Sequence, residues 1–390
     1  MALRPLPRVL RPRGKPSAPG PGFALLCLAL ASYALALPLL ARREAISRLP
    51  SAVRATLIDL QAVEAAGVQA AAAAAVRRYR DSIGLALDPD ADRDMTGLVG
   101  VPYSSTTTTL GKLESKRSAA TPEAAALVVR LLREVGVGPG SVVAVNASGS
   151  FPGFVLASMA ACGAVGAEAR LVLSLGSSSW GANDPRLCVA DIAFAAIDGG
   201  AFPAGYSISV VGATPGGADD RGLDMDPESL RDMLARVEAR GVPVLVPGSL
   251  EESVAFRRRV LDAGREADAL LSIGGNYASS GADLDVALAS GVIAPRTGVG
   301  ADGVGLIQDY LRDGKPVVQL LNVERLYREY GLSYDAPEGA AANSVALYVR
   351  RSRLAAACAL APMLAMMAAY RIGLPGARRR KGARGDGDRP

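Results

Sequence analysis

Histidine is absent from all 390 residues. That removes Ser-His-Asp and Cys-His catalysis, imidazole metal ligands and histidine pH switching together. Aromatic residues make up only 5% of the chain, with one tryptophan, although half of the residues are hydrophobic. Much of that apolar content is Ala and Leu gathered in two runs. Of four cysteines, Cys27 and Cys358 lie in those runs. The other two, Cys162 and Cys188, form neither a CxxC motif nor a disulfide framework, and read as buried free thiols, a single bridge being the alternative. A Walker motif, GxGxxG and GxSxG are all missing, and no acid or thiol spacing reads as a metal site, so neither a cofactor nor a metal is expected.

A uniformly basic body is missing too, although the net charge is +5. Residues 1–22 carry Arg4, Arg8, Arg11, Arg13 and Lys15 with no acid, and residues 371–390 carry seven Lys/Arg against Asp386 and Asp388. Each tail thus stands at +5, which leaves the intervening chain at −5. A nucleic-acid partner is therefore not expected.

Each basic tail adjoins an uncharged apolar run. Residues 23–41 (FALLCLALASYALALPLLA) match the roughly 20 residues that cross a bilayer, so they read as a transmembrane helix or signal anchor, with Ala34-Leu35-Ala36 offering a cleavage site as the other reading. Residues 354–370 (LAAACALAPMLAMMAAY) read as a second transmembrane helix, shorter and interrupted by Pro362; a buried Ala/Met core helix is the competing reading. Twelve Lys/Arg on the tails face seven on the domain side. The positive-inside rule then puts both termini in the cytoplasm and residues 42–353 outside the cell membrane, with the reverse orientation the alternative.

The full length of 390 residues allows two or three domains at about 150 residues each. Residues 42–94 read as a helical stalk or packing segment, with helical spacing from Ser51 to Tyr79 and an alanine run at 70–75. Ser104 to Thr109 is a hydroxyl-rich stretch read as a polar loop. Thr121-Pro122-Glu123 signals a helix that runs to Gly136. Residues 95–350 then repeat one grammar: a short apolar run, a Gly/Ser-rich turn, often a helix. This predicts an α/β domain with a mostly parallel sheet and flanking helices. The predicted strands are Val142–Val145, Leu171–Leu173, Ile208–Val211, Val244–Val246, Ala269–Ile273 and Val317–Leu321, with helices at 153–163, 227–239, 250–263, 283–289 and 323–330.

Four predicted strands end in loops of similar character: Asn146 to Ser150, Gly176 to Asn183, Thr214 to Gly217 followed by Asp219 and Asp220, and Gly274-Gly275-Asn276. In open α/β sheets, ligands bind beyond the carboxyl ends of the strands, so these loops point to a small anion. Ser148, Gly149 and Ser150 precede a helix start and can cradle a carboxylate, ordinary turn chemistry being the other reading. Ser148 and Ser150 are also the candidate nucleophiles, with Lys112, Lys116, Asp219 or Asp220 as the only bases on offer. Ser177, Ser178, Ser179 and Asn183 join the candidate ligand set, as do Gly274, Gly275 and Asn276. Trp180 either stacks on a ligand or braces its loop. Asp219 and Asp220 read as solvated acids, and Arg257-Arg258-Arg259 as a solvated helix face.

An ordered set of motifs resembles the poly-γ-glutamate system protein family. It consists of Thr96-Gly97-Leu98-Val99-Gly100, Tyr103-Ser104, Thr107-Thr108-Thr109-Leu110-Gly111, Lys116-Arg117, Ser148-Gly149-Ser150-Phe151-Pro152, Trp180-Gly181-Ala182-Asn183-Asp184-Pro185 and Leu320-Leu321-Asn322. The resemblance covers nearly all of 95–335. It implies a membrane component of the bacterial machinery that makes or exports poly-γ-glutamate, with other membrane proteins of that system, the lipid bilayer and the polymer or glutamate itself as partners. It transfers no catalytic residue. The chain departs from the family in lacking histidine at Val317 to Leu321 and a Trp-Leu-Asp run near Val189-Ala190-Asp191.

Three roles follow as expectations. The first is an accessory, assembly or polymer-binding component, favoured because ATP-dependent ligation would need a phosphate loop that is not there. The second is a serine-dependent γ-glutamyl amidohydrolase or transferase. The third is a binding module for glutamate or a similar anion. In the binding roles, Lys112, Lys116 and Arg117 would hold a short polymer segment or chain end.

Overall fold

Continuous apolar runs force a strand to be covered on both faces, and alternate residues then belong to different cores. That alternation is visible along the central strand, β2 (Val142–Ser148): Val143, Val145 and Ala147 enter one core, Val142 and Ala144 the other. The computed structural model describes residues 58–295 and 303–336; both apolar runs, both basic tails and residues 42–57 and 337–353 lie outside them. Among the described residues no helix is long and apolar enough to cross a membrane.

The main sheet has six strands. In spatial order they are β5 (Ile208–Thr214), β3 (Glu168–Ser174), β2, β6 (Ala269–Ile273), β8 (Val317–Leu320) and β7 (Gly291–Ile293). All pairings are parallel except β7 with β8. Taken in chain order, the five parallel strands run third, second, first, fourth, fifth across the sheet. The winding direction therefore reverses between β2 and β6, which makes a topological switch point there.

Helices cover both faces. The larger core receives α1 (Leu60–Ser82), α3 (Glu123–Glu134), α4 (Pro152–Ala164), α5 (Val189–Asp198), α6 (Pro227–Glu238) and α11 (Val323–Tyr330). The smaller receives α7 (Leu250–Leu261), α9 (Leu284–Leu288) and α10 (Leu306–Arg312). Alanine dominates the buried face of α1, with Ala62, Ala65, Ala72 and Ala75 all packed, so its backbone lies close to α3 and α4. Gln69 locks that contact: its amide accepts from Ala125 N at 2.9 Å and donates to Gly153 O at 3.3 Å.

Five of the six predicted strands are found, and the α/β class with a mostly parallel sheet holds. Val244–Val246 is a correction: the segment makes only a bridge from Val244 to Ala213, at the open edge of β5. The hydroxyl-rich loop is another. Thr107–Thr109 forms a short strand, β1, paired in parallel with Ser177–Ser178, β4, so hydroxyl side chains there sit on extended backbone. A helix unforeseen in the sequence, α2 (Leu113–Ala120), follows β1. The helix signalled by Thr121-Pro122-Glu123 is α3, but the Thr121 side chain does not cap it; its hydroxyl donates back to Ser118 O at 2.9 Å, at the end of α2.

Candidate functional site

The β1–β4 pair lies over the carboxyl ends of the main strands and builds one wall of a cleft. Asn183 holds this wall together. Its amide accepts from Val101 N at 3.0 Å and donates to Val101 O at 2.8 Å and Thr107 Oγ1 at 2.9 Å. Because α2 starts directly after β1, Lys116 stands one turn into the helix, facing β4. The cleft has a volume of about 760 Å³ and sits over the switch point, bounded by the loops after β2, β3, β5, β6 and β8.

Lys116 is the central group. Only 3% of it is exposed, yet it forms no ion pair with a carboxylate among the described residues. Its ammonium contacts Ser150 O, lies 2.7 Å from Ser178 Oγ and sits over the Phe151 ring, 3.7 Å from the centroid. Burial brings its pKa down to about 7, since charge without a counter-ion is costly away from water. Two glycines shape the surroundings. A Cβ at Gly111 would fall 2.9 Å from Ser178 Oγ and 3.2 Å from Lys116 Cε, and one at Gly274, where φ is +83°, would fall 2.3 Å from Ser148 Oγ.

Beneath the cleft floor lies a buried polar network centred on Arg257. Its guanidinium donates to Asp220 Oδ2, Ser174 Oγ and Thr214 Oγ1, each at 2.8 Å, and to Asn146 Oδ1 at 2.9 Å. Asn276, the N-cap of α8 (Tyr277–Ser280), donates its side-chain amide to Ser174 Oγ. One network thus ties the ends of β2, β3 and β5 to the loop after β6. Two predictions are corrected here. Asp220 is not a solvated acid but 1% exposed, and Arg257 is not on a solvated face but fully buried against it. A charged pair is admitted to the interior because the Thr, Ser and Asn groups saturate it. Asp219 is exposed, and Arg258 pairs with Asp262 and Asp313 at the surface.

Of the residues singled out in the sequence, Ser148, Ser150, Ser178, Gly275, Asn276, Lys112 and Lys116 line the cleft, as do the candidate base Asp219 and the loop glycines Gly176, Gly216 and Gly217. Gly149 lies behind it, its N–H bonded to Ser174 O at 3.0 Å. Ser177 donates to Gly149 O at 2.9 Å, and Asn183 is committed to the wall. The Ser179 hydroxyl is buried without a partner among the described residues. Trp180 sits outside the cleft lining, at φ +64°, exchanging backbone hydrogen bonds with Gly100 and Val101. Arg117 turns away, bonding Ala91 O and Asp90 O at 2.7 Å. The sequence missed Gly111, Phe151, Ser174, Asp224 and Glu324, which also line the cleft. Phe151 and Ser174 adjoin the named loops and could have been found by extending them; nothing local marks Asp224 or Glu324.

Cys162 and Cys188 are free and buried, as expected, and burial pushes both thiols up to about 12. Comparison with protein-family models, curated proteins and solved structures finds no match for this chain.

Proposed function

We propose that this chain is a membrane-anchored component of the bacterial poly-γ-glutamate system and that its α/β domain binds a short γ-glutamyl segment or chain end by a carboxylate in the switch-point cleft. The observation that carries the binding role is Lys116: a buried lysine in a cleft wall, without a carboxylate partner among the described residues, in contact with the Ser178 hydroxyl and the Ser150 carbonyl. An incoming carboxylate supplies the counter-ion that the described residues omit. Lys112 stands at the mouth, 72% exposed and 3.6 Å from Glu324, as a second cation within reach. The polymer context rests on the motif resemblance, and the anchoring on the apolar runs at 23–41 and 354–370 with their basic flanks. In this reading both termini are cytoplasmic, the domain faces outward, and the bilayer and other membrane proteins of the system are its partners.

The test is polymer yield and chain length, in the medium and on cells, in a deletion strain complemented with wild type or Lys116→Met at matched expression. Wild type restores polymer and the variant, folded and membrane-bound, does not. Equal restoration by both would remove the cleft from the polymer's path.

A further inference from the structure

The cleft holds more than a carboxylate site needs, because the contact of Lys116 with Ser178 joins a candidate base to a candidate nucleophile. Ser178 Oγ lies 2.7 Å from Lys116 Nζ. The serine is held at both ends: its N–H donates to Ser150 Oγ at 3.1 Å, and its backbone is paired with Thr109 in the β1–β4 ladder. Gly111 supplies the space, since any Cβ there would press on Ser178 Oγ and Lys116 Cε together. The sequence candidates are placed differently. Ser148 Oγ is engaged with Ser150 N and Ile273 O, and Ser150 Oγ accepts the Ser178 N–H while only its carbonyl meets the lysine.

We propose that Ser178 and Lys116 form a nucleophile and general-base pair for acyl transfer on an amide or ester seated in the cleft. Ser178 Oγ attacks the carbonyl carbon while its proton passes to the free amine of Lys116. The tetrahedral adduct collapses by breaking the bond to the leaving nitrogen or oxygen, which takes the proton back from the Lys116 ammonium. An acyl ester on Ser178 remains. Water, or an acceptor amine, then attacks that ester as Lys116 removes its proton; the bond from the acyl carbon to Ser178 Oγ breaks, Oγ takes the proton back from the Lys116 ammonium, and the acid or new amide leaves. No histidine is required, which suits a chain that has none.

The electrostatics agree with this assignment. With its pKa near 7, a substantial fraction of Lys116 is free amine at neutral pH, as a base must be. The other charged groups around the cleft are engaged or at its rim. Asp224 accepts from Ala218 N at 2.9 Å, Glu324 on α11 pairs with Arg328 at 2.8 Å and with Lys112, and Asp219 is exposed. Phe151 of the α4 entry contributes a ring, not a charge. The pair uses the uncharged form of Lys116, whereas carboxylate binding uses the charged form, so an acyl substrate at Ser178 and a carboxylate on Lys116 are alternative occupants of one cleft that favour opposite sides of pH 7. Only the narrower statement, that the bond cut is a γ-glutamyl amide, rests on the polymer reading.

The experiment uses the full chain in detergent and a fluorophosphonate probe, with the adduct mapped by mass spectrometry; attack by Ser178 Oγ on phosphorus expels fluoride, so no natural substrate is needed. The expected result is an adduct at Ser178 whose rate rises with pH around 7, vanishes in Ser178→Ala, and falls about 100-fold in both Lys116→Met and Lys116→Arg. Thermal unfolding checks that the variants are folded, and the wild-type pH profile stands if Lys116→Met is not. No adduct at Ser178 in folded wild type after prolonged exposure at pH 8, or a rate indifferent to pH and to Lys116→Arg, overturns the proposal. Either failure leaves glutamate-oligomer binding to be judged by its own titration.

Discussion

Lys116 sets the chemistry of the cleft because it is buried without a counter-ion among the described residues. Its pKa of about 7 in the folded chain lies below the ordinary lysine value, so the unfolded chain binds more protons between those limits. Stability therefore rises with pH above 7, each unit of separation being worth about 1.4 kcal/mol. The buried thiols of Cys162 and Cys188, pushed up to about 12, act in the opposite direction once unfolded thiols ionise near pH 8.5 to 9. Thermal unfolding in a pH series should show Tm climbing from pH 7 to about 8.5 in wild type and losing that slope in Lys116→Met. A flat wild-type curve would show that the lysine keeps its ordinary affinity for the proton. Gly111→Ala makes a second residue-scale test. A Cβ placed 2.8 Å from Ser179 O and 2.9 Å from Ser178 Oγ should shift the end of β4 together with the pair and slow fluorophosphonate labelling of Ser178 about 100-fold, with the secondary structure retained by circular dichroism.

At the scale of elements, the cleft depends on the anchoring of strand ends by Arg257. Replacing it by methionine strands Asp220 in the interior, so urea unfolding of Arg257→Met should show a loss of about 3–5 kcal/mol, part of it recovered in Asp220→Asn/Arg257→Met. An unchanged unfolding midpoint would contradict the network's role. The same network marks the limit of what the sequence discloses. Ala269–Ile273 is legible as a strand because burial on both faces demands a mostly apolar run, broken here only by Ser272, whereas Val244–Val246 has the run but only one strand beside it. The three-residue β7, starting at Gly291, has no such signature, and α5, apolar around most of its surface, has no helical stripe to read. The loops at the strand ends were legible from Gly and Ser between apolar runs. The Lys116–Ser178 contact was not, since it joins residues 62 apart through the pairing of two very short strands, and Arg257 carries no local sign that it points inward.

In the whole chain, an α/β domain with a polar cleft is flanked in sequence by two apolar runs that lie outside the described residues. The positive-inside reading predicts that protease added to right-side-out vesicles digests the region 42–353. Full protection of that region would place the domain on the cytoplasmic side.

Carboxylate binding in the cleft around Lys116 is read by calorimetric titration of the full chain in detergent with γ-linked glutamate oligomers. Binding requires the lysine charged, while the ligand carboxylates stay ionised throughout. Affinity should thus be greatest below pH 7 and fall by up to tenfold per pH unit above it. At pH 6.5, Lys116→Met should lose about tenfold to a hundredfold in affinity. Equal affinity in wild type and Lys116→Met, or an affinity constant from pH 6 to 8.5, would show that Lys116 does not hold the ligand carboxylate.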